Sequence, residues 1–145
     1  MTFSNARTVV AVSIYLSLMN TSLCAAEISQ VALYRGADRQ AKLEKAAQAE
    51  GSVVWYTSIA LGESPRYVGL FEKRYPFIKV NLVRSNSSRM AQRYTAEYQA
   101  GTFLADILDT GDTTIEFFRR KGMLQSYYSP VAEKFDKRFI QSQNF

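Results

Sequence analysis

Three times in succession the chain repeats one pattern: a short run of β-branched and aromatic residues, a small polar loop, and an amphipathic helix. Residues 53–57 (VVWYT) read as the first strand, and their lack of polar alternation predicts cover on both faces. Ser64-Pro65 then reads as an N-cap with proline at the first helical position, and Val68, Phe71 and Tyr75 give the buried face of a helix that Pro76 stops. In the second round residues 78–83 (IKVNLV) are strand, 84–88 (RSNSS) loop, and 90–100 a helix with Met90, Tyr94 and Tyr98 in register, ended by Gly101. In the third, residues 105–108 are strand, 109–112 (DTGD) loop and 113–121 helix, with Ile115 and Phe118 facing inward. Arg119, Arg120 and Lys121 fall in its last turn, where cations suit the helix dipole, and Gly122 closes it. Upstream, residues 28–50 read as one helix, with Leu43, Ala46 and Ala47 at helical spacing and Gly51 at its end.

Strand, loop and helix in this order predict an α/β fold, a mainly parallel sheet flanked by helices. Right-handed crossovers would bring all three loops to the carboxyl ends of the strands, the edge where open α/β sheets bind ligands. Those loops are rich in donors. Thr57 and Ser58 end the first strand, Thr110 and Gly111 the third, and Ser85, Asn86, Ser87 and Ser88 lead straight into a helix whose first N–H groups lack partners. Hydroxyls, an amide and free N–H groups together suit an anion. Ordinary capping explains Ser, Asn and Asp before helices as well, but three donor-rich loops at one predicted edge exceed what capping requires.

Residues 1–26 stand apart from this pattern. Arg7 precedes an apolar run at 9–19, and Cys24, Ala25 and Ala26 follow, which is the layout of a secretory signal peptide cleaved after Ala26 and predicts an exported, periplasmic protein. The apolar run is shorter than the roughly 20 residues a bilayer span needs. Cleavage would remove Arg7 and Cys24, leaving 119 residues as one domain at 27–145 and lowering the net charge from +5 to +4. No histidine or cysteine would remain, which excludes disulfides, thiolate catalysis, histidine triads and the usual zinc sites. No cofactor is expected. The cations are interspersed with Asp and Glu rather than gathered into a basic stripe, so no nucleic-acid partner is expected either.

Two short motifs offer other chemistry. Asp109-Thr110-Gly111 is the tripeptide of aspartic proteases, and a homodimer would bring two such carboxylates together to share a proton. Those enzymes set it in an all-β fold, whereas here Asp112 and a helix follow. Tyr127-Tyr128 could supply phenolates to a ferric ion, but packing of one ring and exposure of the other is the simpler account. Trp55 and Tyr56 read as core. Asp106, Asp109 and Asp112 do not make a metal cage, because strand alternation turns the first away from the loop that holds the last.

Four segments together, LYRGADRQAKLEKAAQAEGSVVWYTS, FEKRYPFIKVNLVRSNSSRMAQRYTAEYQAG, ADILDTGD and KGMLQSYYSP, resemble the amino-terminal lobe of the periplasmic solute-binding proteins of ABC importers, nearest the ferric-iron or phosphonate binding subgroup. The resemblance covers residues 33–130. It implies a periplasmic-binding-protein-like lobe of a hinged, non-enzymatic clamp that closes on a small solute and delivers it to an ABC-importer membrane permease. Carried over position by position, the family's first-lobe contacts fall at Thr57, Ser58 and Ile59, at Ser85, Asn86, Ser87 and Ser88, and at Thr110, Gly111 and Asp112. Two departures narrow the solute. Iron-binding members often carry a histidine in the first loop, where this chain has IALG at 59–62, and their iron-gripping tyrosine pair belongs to the second lobe, beyond Tyr127-Tyr128. An oxyanion or a ferric complex is therefore the expected solute, with Asp112 able to donate an oxygen. Family members run to more than twice this length, so a truncated form without the second lobe is expected, the alternative being a gene fragment with no working site.

Overall fold

A three-stranded parallel sheet organises residues 40–124. The central strand β1 (Ser52–Thr57) lies between β2 (Lys79–Arg84) and β3 (Ile107–Asp109), and both pair with it in parallel, with Trp55 opposite Leu82 on one side and Ile107 on the other. The helices are α1 (Arg39–Glu50), α2 (Ser64–Arg74), α3 (Ser87–Gln99) and α4 (Asp112–Arg120). This computed structural model describes residues 32–136; the signal-peptide reading at 1–26 and the start of the 28–50 helix lie outside the described residues.

The chain moves from β1 to β2 in one direction and from β2 back across β1 to β3 in the other. Crossovers of a single hand must then put α2 and α3 on opposite faces. Neighbouring residues of β1 show that they do, since successive strand side chains point to opposite sides. The Trp55 ring meets Tyr67 of α2 edge-on at 6.4 Å, while the Tyr56 hydroxyl donates to Glu97 of α3 at 3.0 Å. Cover on both faces is why the strand lacks polar alternation.

The better-sealed face carries α3 and α4. Met90, Phe118 and Tyr56 are fully buried, and Met123, just beyond α4, is nearly so. Tyr94 of α3 stacks edge-on against Phe118 at 4.8 Å and donates its hydroxyl to the Met123 carbonyl at 2.7 Å, and Tyr98 donates to the Gly122 carbonyl at 3.0 Å. Burial pushes the Tyr94 phenol above its usual range; burial first, then the Glu97 hydrogen bond, does the same for Tyr56. The α2 face is thinner: Val68, Phe71 and Tyr75 are half-buried and Leu70 is exposed. There the outward N–H of Val80 on β2 donates to the Glu72 carboxylate at 3.0 Å, and Lys79 sits 3.2 Å from the same oxygen. That backbone donor, with Lys79 second, holds the Glu72 carboxyl below its usual range, and it blunts an otherwise open strand edge.

Four local expectations change. Residues 34–38 form a turn, closed by Arg39 N–H donating to Gly36 O at 3.0 Å and by Tyr34 donating to Asp38 at 2.6 Å, so α1 begins only at Arg39; glycine and aspartate there favour the turn over a continuous helix. Ser64 is not the cap of α2. Glu63 holds that place without a side-chain bond, and the Ser64 hydroxyl is buried with no partner. The third strand runs 107–109 rather than 105–108, because Asp106 uses its carboxylate to accept the Val54 N–H at 2.7 Å in place of a ladder bond. The third helix starts at Ser87, three residues early, because Asn86 caps it. Gly51, Gly101 and Gly122 follow their helices with φ between 65° and 72°, a conformation that costs residues with a Cβ.

Among the described residues the chain forms two compact units, the one above and a second made by residues 32–39 with 125–136. In this second unit Tyr128 is the tie. Its N–H donates to Ala32 O at 3.0 Å, its carbonyl accepts from Arg39 Nη2 at 2.9 Å, and its hydroxyl donates to Glu133, beside the short 3-10 turn Ala132–Lys134, at 2.7 Å. Tyr127 is 53% exposed, so one ring is engaged and the other open.

Candidate functional site

The three exit loops meet at the carboxyl edge of the sheet, and Thr57 is the joint. Its side chain is fully buried because β1 is central and its last residue lies between both neighbours. The Thr57 carbonyl accepts from Ser85 N–H at 3.1 Å, which fastens the second loop to the first. Its hydroxyl donates to Asp109 Oδ2 at 2.9 Å and accepts from Ile59 N–H at 3.1 Å, while Ser58 N–H donates to Asp109 O at 2.9 Å, fastening the third loop. Arg84 Nε donates to Ile59 O at 2.8 Å. Between the second and third loops, a Cβ built on Gly111 would meet Ser87 Oγ at 3.8 Å, so no bulk separates them.

Sorting these groups by whether they are spent decides what the edge can do. Thr57 is consumed internally, and Ile59 contributes backbone groups that are both engaged. Asn86 Oδ1 accepts Arg89 N–H at 2.9 Å, the N-cap bond of α3. Asn86→Ala is expected to cost about 1 kcal/mol in urea-induced unfolding. Asn86→Asp should restore most of it, and an unchanged midpoint in the alanine variant would remove the cap from this account.

Several donors remain. Among the described residues the hydroxyls of Ser58, Ser85, Ser87 and Ser88 make no hydrogen bond, and Thr110 Oγ1 is buried without a partner. Buried polar atoms are nearly always paired, so Thr110 marks unfilled hydrogen-bonding capacity at this edge. The charges are arranged unevenly. Asp112 lies in the first turn of α4 and already offsets its positive end, whereas α3 has no acid in its first turn. An anion would therefore sit at the start of α3, beside Ser87 and Ser88, with Arg84, the last residue of β2, three residues before that helix.

Arg84 is the residue that reading the sequence for donors overlooked. A cation at the first position of a strand-end loop was the available signal. The Asp109-Thr110-Gly111 tripeptide lies at the end of a parallel strand and runs into a helix, and the Asp109 carboxylate is engaged by Thr57. Fold and edge together define an α/β unit with a donor-lined strand-end site. No protein-family model matches the chain, and no curated protein matches it.

Proposed function

We propose that the chain is the amino-terminal lobe of an exported solute-binding protein serving an ABC importer, and that it holds a small oxyanion or ferric complex at the strand-end loops. The observation that supports this most is the junction of all three loops through Thr57, which leaves the hydroxyls of Ser58, Ser85, Ser87, Ser88 and Thr110 unspent around one edge. Capture rather than chemistry is the reading: neutral donors and a guanidinium bind an anion without a nucleophile or a base. Export through residues 1–26 and delivery to a membrane permease belong to the same proposal.

The full chain titrated with inorganic phosphate, sulfate, methylphosphonate and ferric citrate tests it. At least one should bind saturably, with amide shifts concentrated at residues 57–59, 85–88 and 110–112, and Ser87→Ala with Ser88→Ala should weaken that solute about tenfold. No saturable response to any of the four, or shifts that avoid those loops, would overturn the proposal.

A further inference from the structure

Arg39 is the one charged side chain that is buried among the described residues, at 8% exposure. Its Nη2 donates to the Tyr128 carbonyl at 2.9 Å, but its Nε–H is buried with no acceptor, and no carboxylate among the described residues pairs with it. The guanidinium lies 5.4 Å from the Tyr127 ring and 5.8 Å from the Tyr128 ring. A second guanidinium, that of exposed Arg35, lies 4.3 Å over the same Tyr128 ring. Glu133 accepts the Tyr128 hydroxyl at 2.7 Å, and Asp38 accepts that of Tyr34 at 2.6 Å. Ring faces attract a cation but do not neutralise it. A buried ion lacking a counter-ion is costly, and a buried donor lacking an acceptor is rare.

We propose that Arg39 and Arg35, framed by Tyr127 and Tyr128, form a binding site for a small oxyanion. One oxygen of the anion takes the Nε–H of Arg39, and Arg35 supplies the second positive charge. Guanidinium groups match carboxylate and phosphate oxygens in both charge and geometry. Tyr127 lies against the buried guanidinium and is 53% exposed, so a rotamer change of a surface ring opens the way in. All four residues belong to the unit made by 32–39 and 125–136, and the site does not depend on the strand-end reading.

The side-chain Nε–H resonance of Arg39 in the 15N-labelled full chain reads this out, with its assignment taken from Arg39→Lys. Inorganic phosphate at constant ionic strength should move it saturably, sodium chloride should not, and Ser87→Ala should leave the response intact. Arg35→Gln, at an exposed position, should weaken phosphate by about tenfold, the size of one charge-assisted hydrogen bond. A resonance that stays put at high phosphate, moves equally with chloride, or responds as strongly in Arg35→Gln would overturn the site. Shifts of the strand-end amides are scored separately, so loss of one site leaves the other standing.

Discussion

Phe118→Ala is expected to lower the free energy of unfolding by about 3–5 kcal/mol, the cost of emptying a fully buried aromatic position. Phe118 has no exposed surface, and Tyr94 packs on its ring at 4.8 Å. The loss would combine transferred apolar surface, a cavity between α3 and α4, and the edge-on ring pair. A domain typically has about 5–15 kcal/mol in hand, so the variant should melt at a sharply reduced urea midpoint or be partly unfolded without denaturant. The adjacent Phe117 is 44% exposed and lies 5.6 Å from the Phe118 ring, so its truncation to alanine should cost less, about 1–2 kcal/mol. Equal effects at the two positions would mean that the core does not lie between α3 and α4.

Thr57→Val is expected to cost about 2–3 kcal/mol although it preserves shape, because it leaves a carboxylate oxygen of Asp109 and the Ile59 N–H without their partner. Thr57→Ser keeps the hydroxyl and gives up one methyl group, for about 1 kcal/mol. The ordering, serine milder than valine, separates a hydrogen-bonding role from a packing role and can be read from urea midpoints at constant m-value. The loops should loosen as well, so the solute response proposed for the strand ends should fall further in the valine variant than in the serine one. A valine variant as stable as the parent would show that the polar joint contributes little.

How much of this was legible in the sequence depends on whether the deciding contact was local. The parallel α/β plan was visible because each round states its own strand, loop and helix, and Met90 and Phe118 were visible because helical spacing puts them on a buried stripe. The helix-ending glycines were local signals of the same kind. Ser64 misled because a serine before a proline carries the features of a cap, while its actual burial depends on how α2 packs on the sheet. Thr57 also depends on a distant contact. As the last residue of a strand it read as a ligand donor, and only the β1–β3 register, with Thr57 opposite Asp109, shows that its hydroxyl is spent. Asp106 shortened β3 through a side-chain bond to a strand some 50 residues earlier, a pairing that no local pattern encodes. The cluster around Arg39 was hidden for the same reason, since Tyr127 and Tyr128 stand far along the chain from it.

The alternation of Trp55 and Tyr56 across β1 has a practical consequence. Trp55 is the sole indole in the chain, and it faces α2 rather than the side where Met90 and Phe118 are sealed. Its emission is therefore a one-sided lamp, sensitive to detachment of α2 and blind to early loosening of α3 and α4. Circular dichroism registers every helix, so a gap between the two denaturation curves would reveal the layers letting go in sequence, and coincident curves would mean that the sheet and both layers melt as a single cooperative body.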